Sequence, residues 1–515
     1  MASNPTLQER TKRALALHQS GKVNEAAQAY QAIIADAPDF PDAYHLLGIL
    51  LVQAGHAQQG YDHVKRSIEL APDNVGFLTN FVGVLRSLQR TAECNSILER
   101  LISLPGGRNP DHLVMLADGY ISQNRCEEGR ALLTEVQTLA SDNPAALRLL
   151  GTVNIALGNP EQALEHYRRA LELGPEISIN HYNLANALVL DLQFSEAQAA
   201  YREAIRLDPE LAEAHANLGK TLMMVGDFET GWPEYEWRWK GEGFTNTQAN
   251  GPLWTGQKMP EQTLLLTTEQ GYGDAFQFAR FVTQAAAASE ARVVVEAQSQ
   301  IRDLMASVPG VDDVVVRGTP LPTFDAQAPF MTLPHILKTG LDTIPADIPY
   351  ITPPGTVLEK WKAEIEALPG QKVGLVWRGN PDQLRNVYRS CPPEALRPLL
   401  DIEGVSLVGL QKDPTEQELE KLGGMIDFGH RIETFNDTAA IMCHLDLVIS
   451  VCTSTAHLAG ALGRPTWVLL SRASDWRWFQ DRDDCPWYPT ARLFRQQTLN
   501  DWNTPIAEIA ALLRG

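Results

Sequence analysis

Residues 446–470 have the sequence DLVISVCTSTAHLAGALGRPTWVLL. An apolar run that ends at Val451 precedes three hydroxyl residues, and a periodic stretch then leads to Gly463 and a second apolar run that ends at Leu470. This order predicts a strand, a tight turn, a helix and a second strand. Such a βαβ unit belongs to a parallel sheet, so the stretch predicts an α/β fold for the part of the chain around it.

The turn of this unit is a candidate anion site. It contains Thr453, Ser454 and Thr455, and His457 follows one helical turn later. The unpaired amide N–H groups at a helix N-terminus favour anions, so these hydroxyls can reach a phosphate. The same hydroxyls can instead only cap the helix. A histidine on a helix whose other face is apolar is more often packed than a ligand group, and both interpretations stay open.

Composition and charge restrict the class of protein. The chain has 515 residues, of which 44% are hydrophobic and 21% are charged, which is typical of a globular protein with several domains. Its net charge of −20 disfavours nucleic acids and anionic membranes as partners, because they would be repelled. The first ten residues lack the features of a signal peptide, and no apolar run is long enough to span a membrane. We therefore expect a cytoplasmic protein.

The cysteines predict neither a disulfide framework nor a metal site. The six of them are scattered without a CxxC pair or a histidine at metal spacing, so we expect free thiols. They are Cys94, Cys126, Cys391, Cys443, Cys452 and Cys485.

Residues 1–240 contain a repeat with the period of about 34 residues that is typical of tetratricopeptide repeats. Small residues recur where two antiparallel helices approach, as at Gly48 and Gly151, and a proline follows the second helix, as at Pro72 and Pro175. The third copy is degenerate. We predict an α solenoid that binds a protein partner and that can also mediate homo-oligomerisation. Its seven repeats should begin near Leu7, Pro41, Val75, Pro110, Pro144, Ser178 and Ala212.

Two features of the repeats invite a functional interpretation. Asn80, Asn183 and Asn217 share one position on the first helix, where amides can pair with a peptide backbone, although asparagine is common there in such repeats. The last copy is rich in aromatic residues, and we predict that it caps the solenoid against the next domain. Those residues are Trp232, Tyr235, Trp237 and Trp239. The polar segment 241–262 is predicted to be a linker.

From residue 263 the pattern changes to apolar runs that alternate with amphipathic stretches. This alternation predicts parallel sheets that are covered by helices. A proline-rich segment, 344–355, should connect two Rossmann-like halves, 263–355 and 356–515. The apolar runs are 264–268, 292–297, 313–318, 372–377, 405–411, 445–450 and 466–470.

Each half has one turn with candidate functional residues. In the first half, Gly271 and Gly273 permit a close backbone approach, and Asp274 begins a helix, where it can act as a cap or as a general base. In the second half, Arg378 and Arg389 lie near a strand end. Two arginines suit a diphosphate, but they can also be ordinary surface residues. Gly379 and Asn380 belong to the same loop.

The C-terminal half resembles the heptosyltransferase-type glycosyltransferases of the GT-B fold, in the version found fused to tetratricopeptide repeats in bacteria. The layout is also similar to that of the O-linked N-acetylglucosamine transferases that modify proteins. The motifs that carry the resemblance are EQGYGDAFQFARF (269–281), GLVWRGN (374–380), VGLQK (408–412), NDTAAIMCHLDLVIS (436–450) and TSTAHLAGALGRPTWVLL (453–470).

The resemblance implies a metal-independent transfer of a sugar from a nucleotide-sugar co-substrate, without a further cofactor, in a cleft between the two halves. Asp274 would deprotonate the acceptor in the first half, and Arg378 would neutralise the diphosphate in the second. Gln411 and Lys412 would lie near the donor base or ribose. The turn formed by Thr453, Ser454, Thr455 and His457 would hold the pyrophosphate. Family members commonly have an aspartate where this chain has Cys452.

Three functions follow from these observations. The first is a protein glycosyltransferase whose repeats hold the acceptor, and the family suggests flagellin or another surface protein as that acceptor. The second is an interaction scaffold with a catalytically weakened GT-B domain, which Cys452 favours. The third is a transferase for a glycan or a lipid-linked acceptor.

Overall fold

A computed structural model describes residues 6–241, 250–380 and 386–515 of the chain. The chain divides into two compact units, Met1–Gly174 and Pro175–Gly515. The helices described in the first unit, from residue 6 onward, are all repeat helices. The second contains the last repeat helices together with all the strands that the structure describes.

The repeats consist of paired helices, and the seven predicted repeat starts are the first residues of the odd-numbered helices. None of the helices that the structure describes combines the length and the apolar character that a bilayer crossing needs. The repeat helices are α1 (Leu7–Gln19), α2 (Val23–Asp36), α3 (Pro41–Gln53), α4 (Ala57–Leu70), α5 (Val75–Ser87), α6 (Thr91–Ser103), α7 (Pro110–Ser122), α8 (Cys126–Leu139), α9 (Pro144–Ala156), α10 (Pro160–Leu173), α11 (Ser178–Leu190), α12 (Phe194–Leu207), α13 (Ala212–Met224) and α14 (Phe228–Tyr235).

Capping residues determine where several of these helices begin. The side chains of Asn74, Asn109 and Asn143 accept hydrogen bonds from backbone N–H groups in the first turns of α5, α7 and α9. Pro110 and Pro144 occupy the first turn, where a missing N–H costs nothing. Because these signals are local, the repeat boundaries are visible in the sequence.

Close helix packing within a repeat depends on glycine. A Cβ at Gly48 of α3 would lie 2.5 Å from Cγ2 of Val64 and 2.8 Å from the carbonyl oxygen of Gly60, both on α4. The helices can therefore approach this closely only without a side chain at position 48.

Gly48→Ala is expected to lower the free energy of unfolding by about 1–3 kcal/mol, because the added methyl group overpacks the contact between α3 and α4. Gly83→Ala is the matched control, since Gly83 of α5 has no atom within 4 Å of an added Cβ. The control should gain up to about 1 kcal/mol from helix propensity. Urea unfolding measures both, and equal stability of the two variants would contradict the packing argument.

The α/β part contains two parallel sheets. Their strands are β1 (Thr263–Thr267), β2 (Arg292–Ala297), β3 (Asp313–Val316), β4 (Ala326–Pro329), β5 (Gln371–Val376), β6 (Val405–Gly409), β7 (Ile426–Asp427), β8 (Leu447–Val451), β9 (Thr466–Leu470) and β10 (Ala491–Arg495). The helices are α15 (Tyr272–Phe278), α16 (Arg280–Ser289), α17 (Arg302–Ala306), α18 (Leu333–Ile336), α19 (Gly355–Glu366), α20 (Asn386–Arg389), α21 (Glu416–Lys421), α22 (Phe435–Cys443), α23 (Ser454–Ala461) and α24 (Asn503–Arg514).

The strand orders are β3-β2-β1-β4 and β10-β9-β8-β5-β6-β7, and every pair within them is parallel. In the first sheet the order reverses between β1 and β4, and in the second between β5 and β8. Loops at the carboxyl ends of strands separate at such a reversal and leave a crevice, which is where ligands bind in open α/β sheets. The parallel sheets that the alternating pattern predicts are confirmed.

The end of the repeats packs through aromatic residues against loops of both halves of the α/β part. Trp232 of α14 lies edge-on to Trp476, with ring centroids 5.6 Å apart, and its indole N–H donates to the carbonyl oxygen of Thr339 at 2.9 Å. Tyr235 is buried in the same cluster. The prediction that these two residues cap the solenoid is confirmed, whereas Trp237 stacks on His215 of the last repeat.

A buried ion pair fills the crevice of the first sheet. Arg238, in the 3-10 turn Glu236–Lys240, donates to the carboxylate of Glu269 at 3.0 Å and to the hydroxyl of Thr332 at 2.8 Å. Glu269 follows β1 and also accepts the N–H of Met331, which follows β4, at 2.8 Å. The last repeat therefore supplies the cation that joins the two loops at the reversal point.

The predicted linker 241–262 is described from residue 250 onward, while 242–249 lie outside the described residues. Trp254 is buried, and its backbone N–H donates to the carbonyl oxygen of Gln327 in β4 at 2.8 Å. The described part of this segment therefore packs along the first sheet.

Candidate functional site

Two of the three turns that the sequence analysis singled out, the one after β1 and the one after β8, lie against each other. A Cβ at Gly273, in the first turn of α15, would lie 3.0 Å from Cδ2 of His457 and 3.3 Å from Cα of Ser454 at the start of α23. The loop after β1 and the loop after β8 thus bring the N-termini of two helices together. Only a glycine allows this approach without displacing one of them.

Asp274 occupies the third position of α15. One of its carboxylate oxygens accepts the N–H of Gly271 at 3.0 Å, as expected for a cap. The other accepts the Arg477 guanidinium at 2.5 Å. The carboxyl group remains 19% exposed. Asp274 is therefore both a helix cap and a member of an ion pair with a residue of the other sheet.

Arg477 is the main residue of this region that the sequence analysis missed. It lies in the 3-10 turn Trp476–Trp478, in the loop after β9, and its second terminal nitrogen donates to Asp475 at 2.8 Å. Its side chain is 9% exposed. The signal that could have found it is its position after a buried strand, because the loops after parallel strands share one edge of a sheet.

Burial and charge shift the pKa values of Asp274 and Arg477 in opposite directions. Burial raises the pKa of the Asp274 carboxyl, and the Arg477 cation and the Gly271 N–H oppose that rise. Burial disfavours the cation of Arg477, but Asp475 and Asp274 outweigh it and raise the pKa of the guanidinium. The guanidinium is therefore charged at any physiological pH.

His457 is packed rather than open to solvent. Its Nδ1 is 3.0 Å from the hydroxyl of Tyr488, and its ring stacks on Trp478 with centroids 5.0 Å apart. Burial lowers the pKa of His457 to about 3, and the nearby Arg477 acts in the same direction. The imidazole is therefore neutral at pH 7 and can take part in hydrogen bonds but not in charge pairing with an anion.

The hydroxyls after β8 leave the helix end uncapped. Thr453 precedes α23, yet its side chain makes no capping hydrogen bond and lies 3.2 Å from the hydroxyl of Ser450. Ser454 and Thr455 form the first turn of α23. The N–H groups of this turn therefore face the contact with α15 without a side-chain cap at Thr453.

Cys452 is a buried thiol at this turn. Its sulfur accepts the indole N–H of Trp478 at 3.0 Å. Burial raises its pKa to about 11, and the charge of Asp475 adds to the rise, whereas the cation of Arg389 opposes it. The prediction of free thiols is confirmed for all six cysteines, which are free and lie within the described residues.

The residues after β5 and β6 form a separate group. Arg378 donates to the carboxylate of Glu418 at 2.7 Å and to the carbonyl oxygen of Asp413 at 2.7 Å. Its backbone N–H donates to the side chain of Gln411 at 3.0 Å, and Lys412 donates to the carbonyl oxygen of Ile432 at 2.9 Å. A donor diphosphate would therefore have to compete with Glu418 for Arg378.

Gly379 and Arg389 pack together in the loop after β5. A Cβ at Gly379 would lie 2.7 Å from Nε of Arg389, so the guanidinium lies close over the glycine backbone. The hydroxyl of Ser390 accepts the Gly379 N–H at 3.3 Å. Asn380 continues this loop, which borders the crevice between β5 and β8.

A cavity of about 70 Å³ lies between α11, α13 and the loop that carries Arg477. Asn186 accepts a hydrogen bond from Asn217 at 3.0 Å, and Asn217 accepts one from Lys220 at 3.2 Å. Asp475 and Trp476 line the other side. Of the predicted asparagine row, Asn217 therefore borders the loop that carries Arg477, whereas Asn80 pairs with His45 at 2.9 Å.

Comparisons with known proteins confirm the repeats. A tetratricopeptide repeat family model matches residues 11–75 and 114–176, and a TPR repeat model matches residues 193–226. Among solved structures, the chain is similar to YrrB, described as a TPR protein with an unusual peptide-binding site, with 17% identity and a TM-score of 0.32. That match covers 37% of this chain and 98% of YrrB. Repeats of this family indicate a protein-interaction function.

Two curated relatives extend the comparison. The chain is similar to Protein FlbA of Caulobacter vibrioides, with 26% identity over 532 residues, which covers 97% of this chain and 83% of FlbA. It is also similar to the uncharacterized protein y4yS of Sinorhizobium fredii, with 30% identity over 108 residues, 21% of this chain and 58% of y4yS. The first similarity includes the α/β part as well as the repeats.

Proposed function

We propose that the chain is a metal-independent glycosyltransferase of the GT-B type that moves a sugar from a nucleotide-sugar donor to a Ser or Thr of a protein acceptor. The observation that carries the proposal is the contact between Gly273 and the first turn of α23. It joins a carboxylate from one parallel sheet to an anion-favouring helix end from the other. Glycosyl transfer needs one group of each kind.

In this proposal the first sheet forms the acceptor side and the second sheet the donor side. Asp274 takes the proton of the acceptor hydroxyl, and the N–H groups of the first turn of α23 stabilise the departing phosphate. Arg389 adds positive charge at the same crevice. Arg378, Gln411 and Lys412 lie farther along the sheet edge, on the β6 side, where a nucleoside would extend from its phosphates.

The repeats support a protein as the acceptor. The cavity between α11, α13 and the Arg477 loop is lined by polar side chains of the last repeats and by Asp475, the residue that pairs with Arg477. An asparagine amide can bond both the N–H and the C=O of an extended chain, and Asn217 would do so in exchange for its bonds to Asn186 and Lys220. The family resemblance makes flagellin or another surface protein the first acceptor to test.

A scaffold function is the second candidate. Cys452 replaces an expected carboxylate with a neutral thiol, and Glu418 occupies Arg378. Calorimetric titration of the full chain with a panel of UDP-, GDP- and CMP-linked sugars separates the two functions. An enzyme binds at least one donor and turns it over with acceptor, whereas a scaffold binds none.

Removal of residues 1–174 is expected to abolish transfer to a protein acceptor while donor binding persists, because the second unit contains both sheets. Mass spectrometry of cellular proteins from cells that carry the full-length gene, the truncated gene or no gene measures the sugar and the acceptor together. Thermal unfolding of the truncated protein serves as the control for folding. Undiminished protein glycosylation by the truncated chain would contradict a role of the first unit in acceptor binding.

A further inference from the structure

Arg477 is held between two carboxylates that come from different parts of the fold. Its two terminal nitrogens lie 2.5 Å from Asp274, in the first turn of α15, and 2.8 Å from Asp475 of its own loop. The separation of Asp274 and Arg477 by 203 positions makes this a tertiary contact between the two sheets.

Two aromatic rings and the 3-10 turn itself also constrain the guanidinium. Its central carbon lies 4.6 Å from the ring centroid of Trp476 and 5.7 Å from that of Phe278. Asp475 accepts the backbone N–H of Arg477 at 3.1 Å and so holds the 3-10 turn in place. A cation that is already ordered by its own loop can orient a partner without losing further side-chain entropy.

The carboxylate of Asp274 has one bond on each oxygen. The N–H of Gly271 binds one oxygen and the guanidinium of Arg477 binds the other. Because a carboxylate offers about four acceptor positions, each oxygen keeps capacity for a further hydrogen bond. Without Arg477 the side-chain rotation of Asp274 would be determined by Gly271 alone.

We propose that Arg477 is the positioning residue for Asp274, whose carboxylate it orients toward the acceptor hydroxyl and keeps as the charged partner of an ion pair. This inference rests on the proposed function, in which Asp274 is the general base. In the reaction, the acceptor O–H gives its proton to Asp274 while its oxygen bonds to the anomeric carbon. The bond from that carbon to the donor phosphate oxygen breaks, and the phosphate takes the electron pair. Arg477 stays protonated throughout.

The other charged and titratable groups around Asp274 have smaller effects. Asp475 raises the pKa of Asp274 and Lys220 of α13 lowers it, but burial and Arg477 contribute more. Burial raises the pKa of Tyr235 to about 12, so this phenol is neutral. His457, beside Gly273, is neutral as well, since burial lowers its pKa to about 3. Arg477 is thus the main charge that opposes protonation of the buried base.

The first experiment compares pH profiles of kcat/KM for wild type, Arg477→Gln, Arg477→Lys and the matched control Arg482→Gln. Arg482 is on the same loop and pairs with the exposed Asp484. The donor is whichever member of the nucleotide-sugar panel supports transfer. Arg477→Gln should shift the acidic limb of the pH profile to higher pH by about 1 pH unit or more, because the pKa of Asp274 rises without the cation. It should also lower kcat by about 100-fold. Arg477→Lys should recover part of both, and Arg482→Gln should match wild type.

The second experiment needs no donor and measures thermal midpoints of Asp274→Asn, Arg477→Gln and the double variant at pH 7.5. Arg477→Gln should lower Tm, and adding Asp274→Asn should recover part of the loss, because it removes a buried carboxylate left unpaired. The exposed pair Arg482→Gln and Asp484→Asn should show a much smaller coupling of its Tm changes.

The outcomes are distinguishable. If Arg477→Gln transfers sugar with an unshifted pH profile of kcat/KM, the role of Arg477 is overturned while the proposed function stands. The same holds if the Tm changes of Arg477→Gln and Asp274→Asn are additive. A wild-type chain that transfers no sugar from any donor overturns the proposed function, and the role of Arg477 falls with it.

Discussion

Asp274→Asn is expected to lower glycosyl transfer by about 10²- to 10⁴-fold, the usual contribution of a positioned general base. The amide keeps the size of the side chain, and its oxygen can still accept the N–H of Gly271, but it cannot take a proton from the acceptor. Donor binding should persist, because the proposed donor contacts are on the second sheet. Turnover is measured as release of the nucleoside phosphate in the presence of acceptor, and binding is measured by calorimetry.

The control for this variant is Asp484→Asn, which removes an exposed carboxylate that pairs with Arg482. It should retain wild-type turnover. Wild-type turnover by Asp274→Asn would show that another group takes the proton. Loss of donor binding in the same variant would place the aspartate on the donor side.

Arg238→Met is expected to lower the free energy of unfolding of the second unit by about 3–5 kcal/mol, because it leaves the Glu269 carboxyl buried without its cation. Glu269 is only 4% exposed. Lys240→Met, two residues later, removes a cation that pairs with Glu210 on the surface and should cost less than about 1 kcal/mol. Chemical unfolding, followed by tryptophan fluorescence, measures both variants.

The same variant should show a distinct pH dependence. Burial raises the pKa of Glu269 above that of a free glutamate, and Arg238 opposes the rise. A raised carboxyl pKa means that the folded state holds its proton more tightly, so stability falls as the pH increases from the unfolded to the folded pKa. Without Arg238 the pKa of Glu269 rises further, so the loss of stability continues to higher pH. Arg238→Met should therefore be less destabilising at pH 5 than at pH 8, and an equal loss at both would contradict an ionised, unpaired Glu269.

Local signals explain which parts of the fold were predictable. Repeat starts such as Pro110 and Pro144 are visible because caps and helix-initiating prolines lie within a few residues of the boundary. The long apolar runs gave seven strands, but β4, β7 and β10 were missed. β4 has the sequence AQAP, which lacks large apolar residues, and β7 is only two residues long. β10 has the sequence ARLFR, in which two arginines interrupt the apolar run. None of the three therefore resembles a buried strand in sequence.

The candidate site was predictable only in part. Gly273, Asp274 and the turn after β8 stand out because each follows a buried strand, and the structure brings them together. Arg477 also follows a buried strand, β9, but this position does not identify it as the partner of Asp274, because no spacing rule connects two residues that are 203 positions apart. The pairing of Arg378 with Glu418 likewise depends on where α21 begins relative to β5.

The ion pair of Arg238 with Glu269 has a consequence for protein engineering. A chimaera that replaces all the repeat helices by a junction at residue 240 would lose Arg238. It would leave Glu269 buried without its cation. A junction at Gly174 keeps the pair intact, together with the aromatic cluster around Trp232. Residues 175–240 should therefore be kept together with the two sheets, and foreign repeats should be joined at their N-terminal end.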